Sequence, residues 1–193
     1  MSFYGFARGV VDVIFTPIYR FKAIGTENVP KDGAVLLCAN HIHNLDPIAV
    51  GVTTKRHIVF MAKEELFKVP ILGNVVKHLQ AFPVKRGKGD REALRMGLAA
   101  LREGKVLGLF PEGTRSKTGE VGKGMAGAGF FALKTDAHVV PCAIVGPYKP
   151  FKRVKVVYGK PIDMQPLRER KASAEEVTEL IMTHIKEILI QYK

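Results

Sequence analysis

The sequence predicts an α/β fold: a mostly parallel central sheet flanked by helices, with an amphipathic membrane-interface helix at its N-terminus. Three observations carry this. Apolar runs of strand length recur at 34–39, 57–61, 106–110, 139–145 and 153–158. Segments of helical period, with their own start and stop residues, lie between them. No internal repeat, low-complexity stretch or linker divides the chain, and 193 residues suit one domain with a respectable core. Residues 1–20 are therefore read as the amphipathic helix and 21–193 as a single α/β domain.

The first element is residues 3–19. Gly5, Arg8, Gly9, Asp12 and Thr16 recur at helical spacing as one narrow small or polar face, and Arg8 and Asp12 stand one turn apart. Phe3, Tyr4, Phe6, Val10, Val11, Val13, Ile14, Phe15 and Ile18 cover the rest. Such a helix suits the plane of a membrane interface, and packing on the protein's own core is the competing reading. There is no apolar run of about 20 residues for a spanning helix, nor the pattern of a secretory signal.

The run 34–39 leads straight into Asn40-His41, and Asp46-Pro47 is a favoured pair for an N-cap and first helical residue. The run 57–61 leads into Lys63-Glu-Glu-Leu-Phe67, and Phe82-Pro-Val-Lys-Arg86 ends another extended stretch. Asp90 can cap a helix carrying Leu94, Leu98 and Leu101 on one side, stopped by Gly104. The strand 106–110 opens into Phe110-Pro-Glu-Gly-Thr-Arg-Ser116, and 125–135 is a candidate helix. Ser173 and Glu176 have capping-box spacing, ahead of a helix with Val177, Leu180, Ile181, His184, Ile188 and Leu189 facing inward.

Composition narrows the partners. Thirty basic against eighteen acidic residues give +12, so the surface attracts nucleic acid, an anionic membrane or phosphorylated substrates. Nucleic acid has only this charge in its favour, because no recognition-helix, zinc or aromatic RNA-binding motif is present. Cys38 and Cys142 each sit inside an apolar run, where a cysteine behaves as a small hydrophobe rather than a disulfide partner or nucleophile.

Chemistry concentrates at strand ends, where ligands bind in open α/β sheets. His41 follows one strand, and the loop to Asp46 is long enough for the carboxylate to fold back onto the imidazole. A histidine oriented by a carboxylate is a general base near neutrality. Two other readings compete: Asp46 as a helix cap alone, and His41, His43 and Asp46 as metal ligands, although no third histidine partner completes a hydrolase pattern. In the second loop, Gly113 permits unusual backbone angles, Arg115 offers a donor fork for phosphate, and Glu112 can hold the loop through nearby amides or a cation. Lys63, Arg86 and Arg115 are three strand-end cations able to converge on one anion. Gly122, Gly124 and Gly127 fit GxGxxG but lack the preceding strand that a dinucleotide site needs. His57, His78, His138 and His184 have no convincing partners in the sequence and are read as structural.

These residues resemble the glycerolipid acyltransferases, specifically the 1-acylglycerol-3-phosphate acyltransferases, in four ordered blocks across residues 40–146. Asn40-His41 through Asp46 resembles NHxxxxD. Lys63, Glu65, Leu66, Pro70, Gly73 and Phe82-Pro-Val with Arg86 resemble the second block. Phe110 through Ser116 resembles FPEGTRS, and Val140-Pro141 resembles the fourth. His43, Gln80 and Cys142 depart from the common serine, glycine and valine.

The resemblance implies that His41 deprotonates the free hydroxyl of lysophosphatidic acid while Asp46 orients His41. The oxygen then attacks an acyl thioester directly, giving phosphatidic acid. Arg86 and Arg115 would hold the phosphate, with Lys63 a further phosphate or oxyanion contact, and Asn40, Glu112, Gly113 and Thr114 supporting the loops. It implies no metal or bound cofactor, acyl-CoA or acyl carrier protein as donor, and monotopic or peripheral attachment at the cytoplasmic face of an anionic membrane. The rivals are another lysophospholipid or glycerol phosphate as acceptor, a metal-dependent hydrolase, and a non-enzymatic basic membrane-binding module.

Overall fold

A computed structural model describes residues 5, 9, 13, 15–70, 73–74, 81–84 and 90–193. Among them seven strands form one sheet: β1 Lys22–Ile24, β2 Val35–Ala39, β3 Ile58–Lys63, β4 Phe82–Val84, β5 Val106–Leu109, β6 His138–Val145 and β7 Lys155–Tyr158. Their order is β1-β7-β6-β2-β5-β3-β4. Every neighbouring pair is parallel except β6 with β7. The expected strands are present, and β1 is added to them. Its Lys-Ala-Ile sequence carries no apolar run; its backbone pairing with β7 makes it a strand.

Five α-helices with defined bounds complete the described layers: α1 Asp46–Thr53, α2 Arg91–Arg102, α3 Gly127–Lys134, α4 Gln165–Glu169 and α5 Ala174–Tyr192. The period-two alternation of β2 divides the core. Leu36 and Cys38 face α2, α3 and α5, packing with Leu101, Phe131, Ile181 and Ile185. Val35, Leu37 and Ala39 face α1, packing with Val50, Val140, Ile144 and Val156. Cys38 and Cys142 therefore lie in the cores on opposite faces, both as free thiols.

Local signals explain the helix ends. Asp90 Oδ1 accepts from the amides of Glu92 and Ala93, both at 3.1 Å, and Gly104 takes φ 74° just beyond α2. The deeply buried side of α2 is Ala93, Gly97, Ala100 and Leu101, with Leu94 and Leu98 only partly buried beside it. Small residues are needed because the Phe131 ring lies 2.6 Å from where a Gly97 Cβ would stand. Ser173 caps α5 through the Glu176 amide, whereas the Glu176 carboxylate pairs with Arg170 instead of closing the box.

The inward face of α5 is rotated from the expected one. Val177, Thr178, Ile181, Met182, Ile185 and Leu189 are buried. Leu180, His184 and Ile188 are partly buried, and His184 Nδ1 lies 3.4 Å from Glu187. Thr178 is buried because its hydroxyl accepts from the Gly129 amide and donates to the Met125 carbonyl, ties that an apolar pattern does not display.

At the N-terminus, Gly5, Gly9, Val13 and residues 15–19 are helical; the expected Arg8–Asp12 pair lies outside the described residues. The end of this segment joins the body, with Ile18 and Tyr19 carbonyls accepting from the Phe151 and Val154 amides. Among the described residues no helix is long and apolar enough to cross a membrane.

Candidate active site

The five strands β2 to β6 run the same way, with β7 and β1 opposed to them, which brings several chain-distant loops to one edge of the sheet. His41 follows β2, Lys63 ends β3 and Phe110–Ser116 follows β5, with β5 between β2 and β3. The side chain of Asn40, 1% exposed, extends the β2–β6 pairing one residue further. Its Oδ1 accepts from Ile144 N at 2.7 Å and its Nδ2 donates to Ile144 O at 3.1 Å. Asn40 thus fixes the strand end from which His41 leaves.

His41 and Asp46 meet. His41 Nδ1 lies 2.8 Å from Asp46 Oδ2, with the imidazole 13% exposed and the carboxylate fully buried. The same Oδ2 accepts from the amides of Ile42 and His43, each at 2.7 Å. Asp46 is the first residue of α1 and follows Leu45, which has no capping side-chain bond. The expected cap role is therefore corrected. The carboxylate faces backward, organising the turn that carries His41, because three donors converge on it there.

With Nδ1–H donated to the carboxylate, Nε2 of His41 holds the free lone pair and is the basic atom. The ring lies 4.2 Å from the Phe110 ring at an interplanar angle of 20°, so stacking fixes its plane. Far behind the site, the Tyr158 hydroxyl contacts Thr53 and Thr54 hydroxyls at 2.7 Å each, anchoring the other end of α1.

His43 takes a different position. Its Nδ1 accepts from Leu45 N at 3.3 Å and its ring stacks 4.3 Å from Tyr148. Among the described residues no group of three His, Cys, Asp or Glu side chains is placed to hold a metal ion.

The second loop clamps the first. Glu112 Oε1 accepts from His41 N at 2.9 Å, and its Oε2 accepts from Gly122 N at 3.0 Å. Ser116 N donates to His41 O at 2.7 Å, so the His41 backbone is held on both sides. Gly113 has φ 66°, and a Cβ there would overlap the Met125 sulfur. Thr114 is exposed and has no hydrogen-bond partner among the described residues, so Ser116 supplies the support expected of it. The glycines at 122, 124 and 127 follow irregular backbone rather than a strand, and Gly122 serves the Glu112 clamp.

Arg115 and Lys63 are exposed at this edge, and among the described residues neither forms an ion pair. Arg86 lies outside the described residues, two positions beyond the end of β4. Both cysteines are fully buried, and burial pushes the Cys38 thiol up to about 12 and raises Cys142 as well.

The residue missed by sequence reasoning is Tyr148. It stacks on His43 and meets Tyr19 edge-on at 5.6 Å, in a loop with no motif to mark it.

The family model described as Acyltransferase matches residues 20–145. The 1-acyl-sn-glycerol-3-phosphate acyltransferase of Bacillus subtilis is 32% identical to this chain, over 96% of each. Its namesake from Streptococcus pneumoniae is 27% identical over 96% of this chain and 73% of its own. The crystal structure of the 1-acyl-sn-glycerophosphate acyltransferase PlsC from Thermotoga maritima has a TM-score of 0.76 at 24% identity. It covers 98% of this chain and 78% of that one, so the two share a fold.

Proposed function

The chain belongs to the acyltransferase family, and on that premise we propose that it acylates the sn-2 hydroxyl of 1-acyl-glycerol-3-phosphate from an acyl thioester, giving phosphatidic acid. The names of its relatives support the acceptor. The observation that carries the mechanism is the 2.8 Å contact between His41 Nδ1 and a buried Asp46.

His41 Nε2 takes the hydroxyl proton as the acceptor oxygen attacks the thioester carbonyl carbon. A C–O bond forms and the carbonyl oxygen becomes an oxyanion. Collapse breaks the C–S bond, and the departing thiolate recovers the proton from His41. Asp46 stabilises the imidazolium between these steps, and base assistance of this kind contributes roughly 10²–10⁴ in rate. The two buried thiols are poor candidates for an acyl-enzyme, which favours direct transfer. Arg115 and Arg86 hold the acceptor phosphate and Lys63 adds a phosphate or oxyanion contact, so that both substrates are held in register.

The acceptor is a membrane lipid, and the second part of this reading is docking to an anionic bilayer at the cytoplasmic face. Phe151 is 74% exposed between Lys149, Lys152 and Arg153, and Val13 on the N-terminal helical segment is 76% exposed. An open groove of about 430 Å³ lined by Thr16, Arg20, Phe21, Lys22 and Arg153 lies beside them. An apolar tip ringed by cations supports attachment to an anionic interface.

The test is phosphatidic acid formation from lysophosphatidic acid with oleoyl-CoA or oleoyl carrier protein, comparing wild type with folded His41→Ala. Activity that disappears in the variant supports the base, and the faster thioester is the donor. Activity retained at a similar rate overturns the mechanism. Turnover only with a different lysophospholipid or glycerol phosphate replaces the acceptor.

A further inference from the structure

The Asp46 carboxylate is used unevenly. Oδ2 accepts three donors, whereas Oδ1, equally buried, completes no hydrogen bond among the described residues. A buried carboxylate oxygen without a donor is costly, so the local structure should hold a donor nearby. The Tyr148 hydroxyl is buried and also completes no bond. The two atoms belong to one neighbourhood. Tyr148 stacks on His43, whose amide binds Asp46, and Asn40 ties β2 to Ile144 near the end of the strand leading to Tyr148.

We propose that Tyr148 is a positioning residue of the catalytic pair, its hydroxyl donating to Asp46 Oδ1 so that Oδ2 stays aligned on His41 Nδ1. Burial is the main cause that raises the Tyr148 pKa, and the Asp46 carboxylate raises it further, which keeps the proton on the hydroxyl. The donor is therefore present throughout the working pH range. The Cβ–Cγ torsion of a carboxylate is soft, so the orientation of Asp46 depends on what its second oxygen binds. With both oxygens bonded, the carboxylate has one orientation and His41 one tautomer. The tyrosine ring is held between His43 and Tyr19, which fixes where the hydroxyl points.

This inference rests on His41 acting as the base, so the experiment separates the two. Tyr148→Phe keeps the ring and its stacking and removes only the donor. Its kcat should fall about tenfold with KM for both substrates within about twofold, the scale of one hydrogen bond to a charged group. In an Asp46→Asn background the same change should cost less than about twofold, because Tyr148 acts through that carboxylate. An unchanged kcat in Tyr148→Phe, or an undiminished loss in the Asp46→Asn background, overturns the proposal. An active His41→Ala would instead overturn the base itself, whatever Tyr148→Phe does.

Discussion

Glu112 and His41, 71 positions apart in the chain, are joined by a 2.9 Å bond from the His41 amide to the Glu112 carboxylate. The loop that carries Arg115 therefore sets the backbone of His41, the proposed base, and links it to the proposed phosphate contact. The second oxygen of Glu112 is committed to Gly122, so both must be acceptors.

Glu112→Gln replaces one acceptor by an NH₂ group facing an amide N–H. The loss is about 2 kcal/mol, or roughly 4–8 °C in Tm for a domain of this size. Displacing His41 should also lower kcat about tenfold. Thermal melts and steady-state kinetics check both, and unchanged values would show the clamp to be dispensable.

Arg115 is exposed and without an ion-pair partner among the described residues, so it is free to take a phosphate. Arg115→Ala should raise KM for lysophosphatidic acid about 10–100-fold, the scale of a charged hydrogen-bonded contact, with kcat changed far less. Arg115→Lys should recover only part, because a point charge lacks the planar fork. An unaltered KM in the alanine variant would place the phosphate elsewhere.

The family and the sheet were legible because their signals are local. Strand-length apolar runs, the Asp90 and Ser173 caps, and four ordered motif blocks each lie within a few residues. The His41–Asp46 loop was readable as well, although its carboxylate turns away from capping α1. What was hidden depends on partners distant in sequence. β1 exists through β7, Thr178 is inward through Gly129 and Met125, and Tyr148 matters through a turn a hundred residues earlier. Spacing alone shows none of these. Lys63 stands at the expected strand end, while Arg86 lies outside the described residues.

The buried thiols predict both chemical silence and an alkaline weakness. Cys38 is raised from 9.0 to about 12 by burial, so the folded protein keeps a proton that the unfolded chain releases. Its contribution is full below pH 9 and is lost progressively as pH rises from 9 towards 12. Native protein at pH 8 should not react with an aromatic disulfide reagent, and both cysteines should react after urea unfolding. Fast labelling of the native state would contradict their burial, and a Tm unchanged above pH 9 would contradict the linkage.

Phe151 tests the membrane reading directly. Phe151→Ala should weaken binding to phosphatidylglycerol-containing vesicles about tenfold through lost apolar burial. Lys152→Ala and Arg153→Ala should each weaken it about fivefold at low salt, from about 1 kcal/mol per charge near an anionic surface, with less effect as salt rises. Vesicle sedimentation measures all three. Equal binding to purely zwitterionic vesicles would remove the electrostatic part, and equal binding by Phe151→Ala would remove the loop from the contact.

Gly129 reports on the layer beneath the site. It sits in α3 where α5 begins, and a Cβ there would overlap the Ala174 carbonyl oxygen. That obstacle is backbone, so no side-chain rotation relieves it, and its own amide is committed to the Thr178 hydroxyl at 2.9 Å. In an open helix Gly→Ala would stabilise by about 1 kcal/mol through propensity. Here overpacking should outweigh that gain and leave a net loss of about 2 kcal/mol, or roughly 4–8 °C in Tm. Gly127→Ala, with nothing within 4 Å of its added carbon, is the control and should be close to neutral. A melt in which Gly129→Ala matches Gly127→Ala would mean that α3 and α5 do not approach each other this closely.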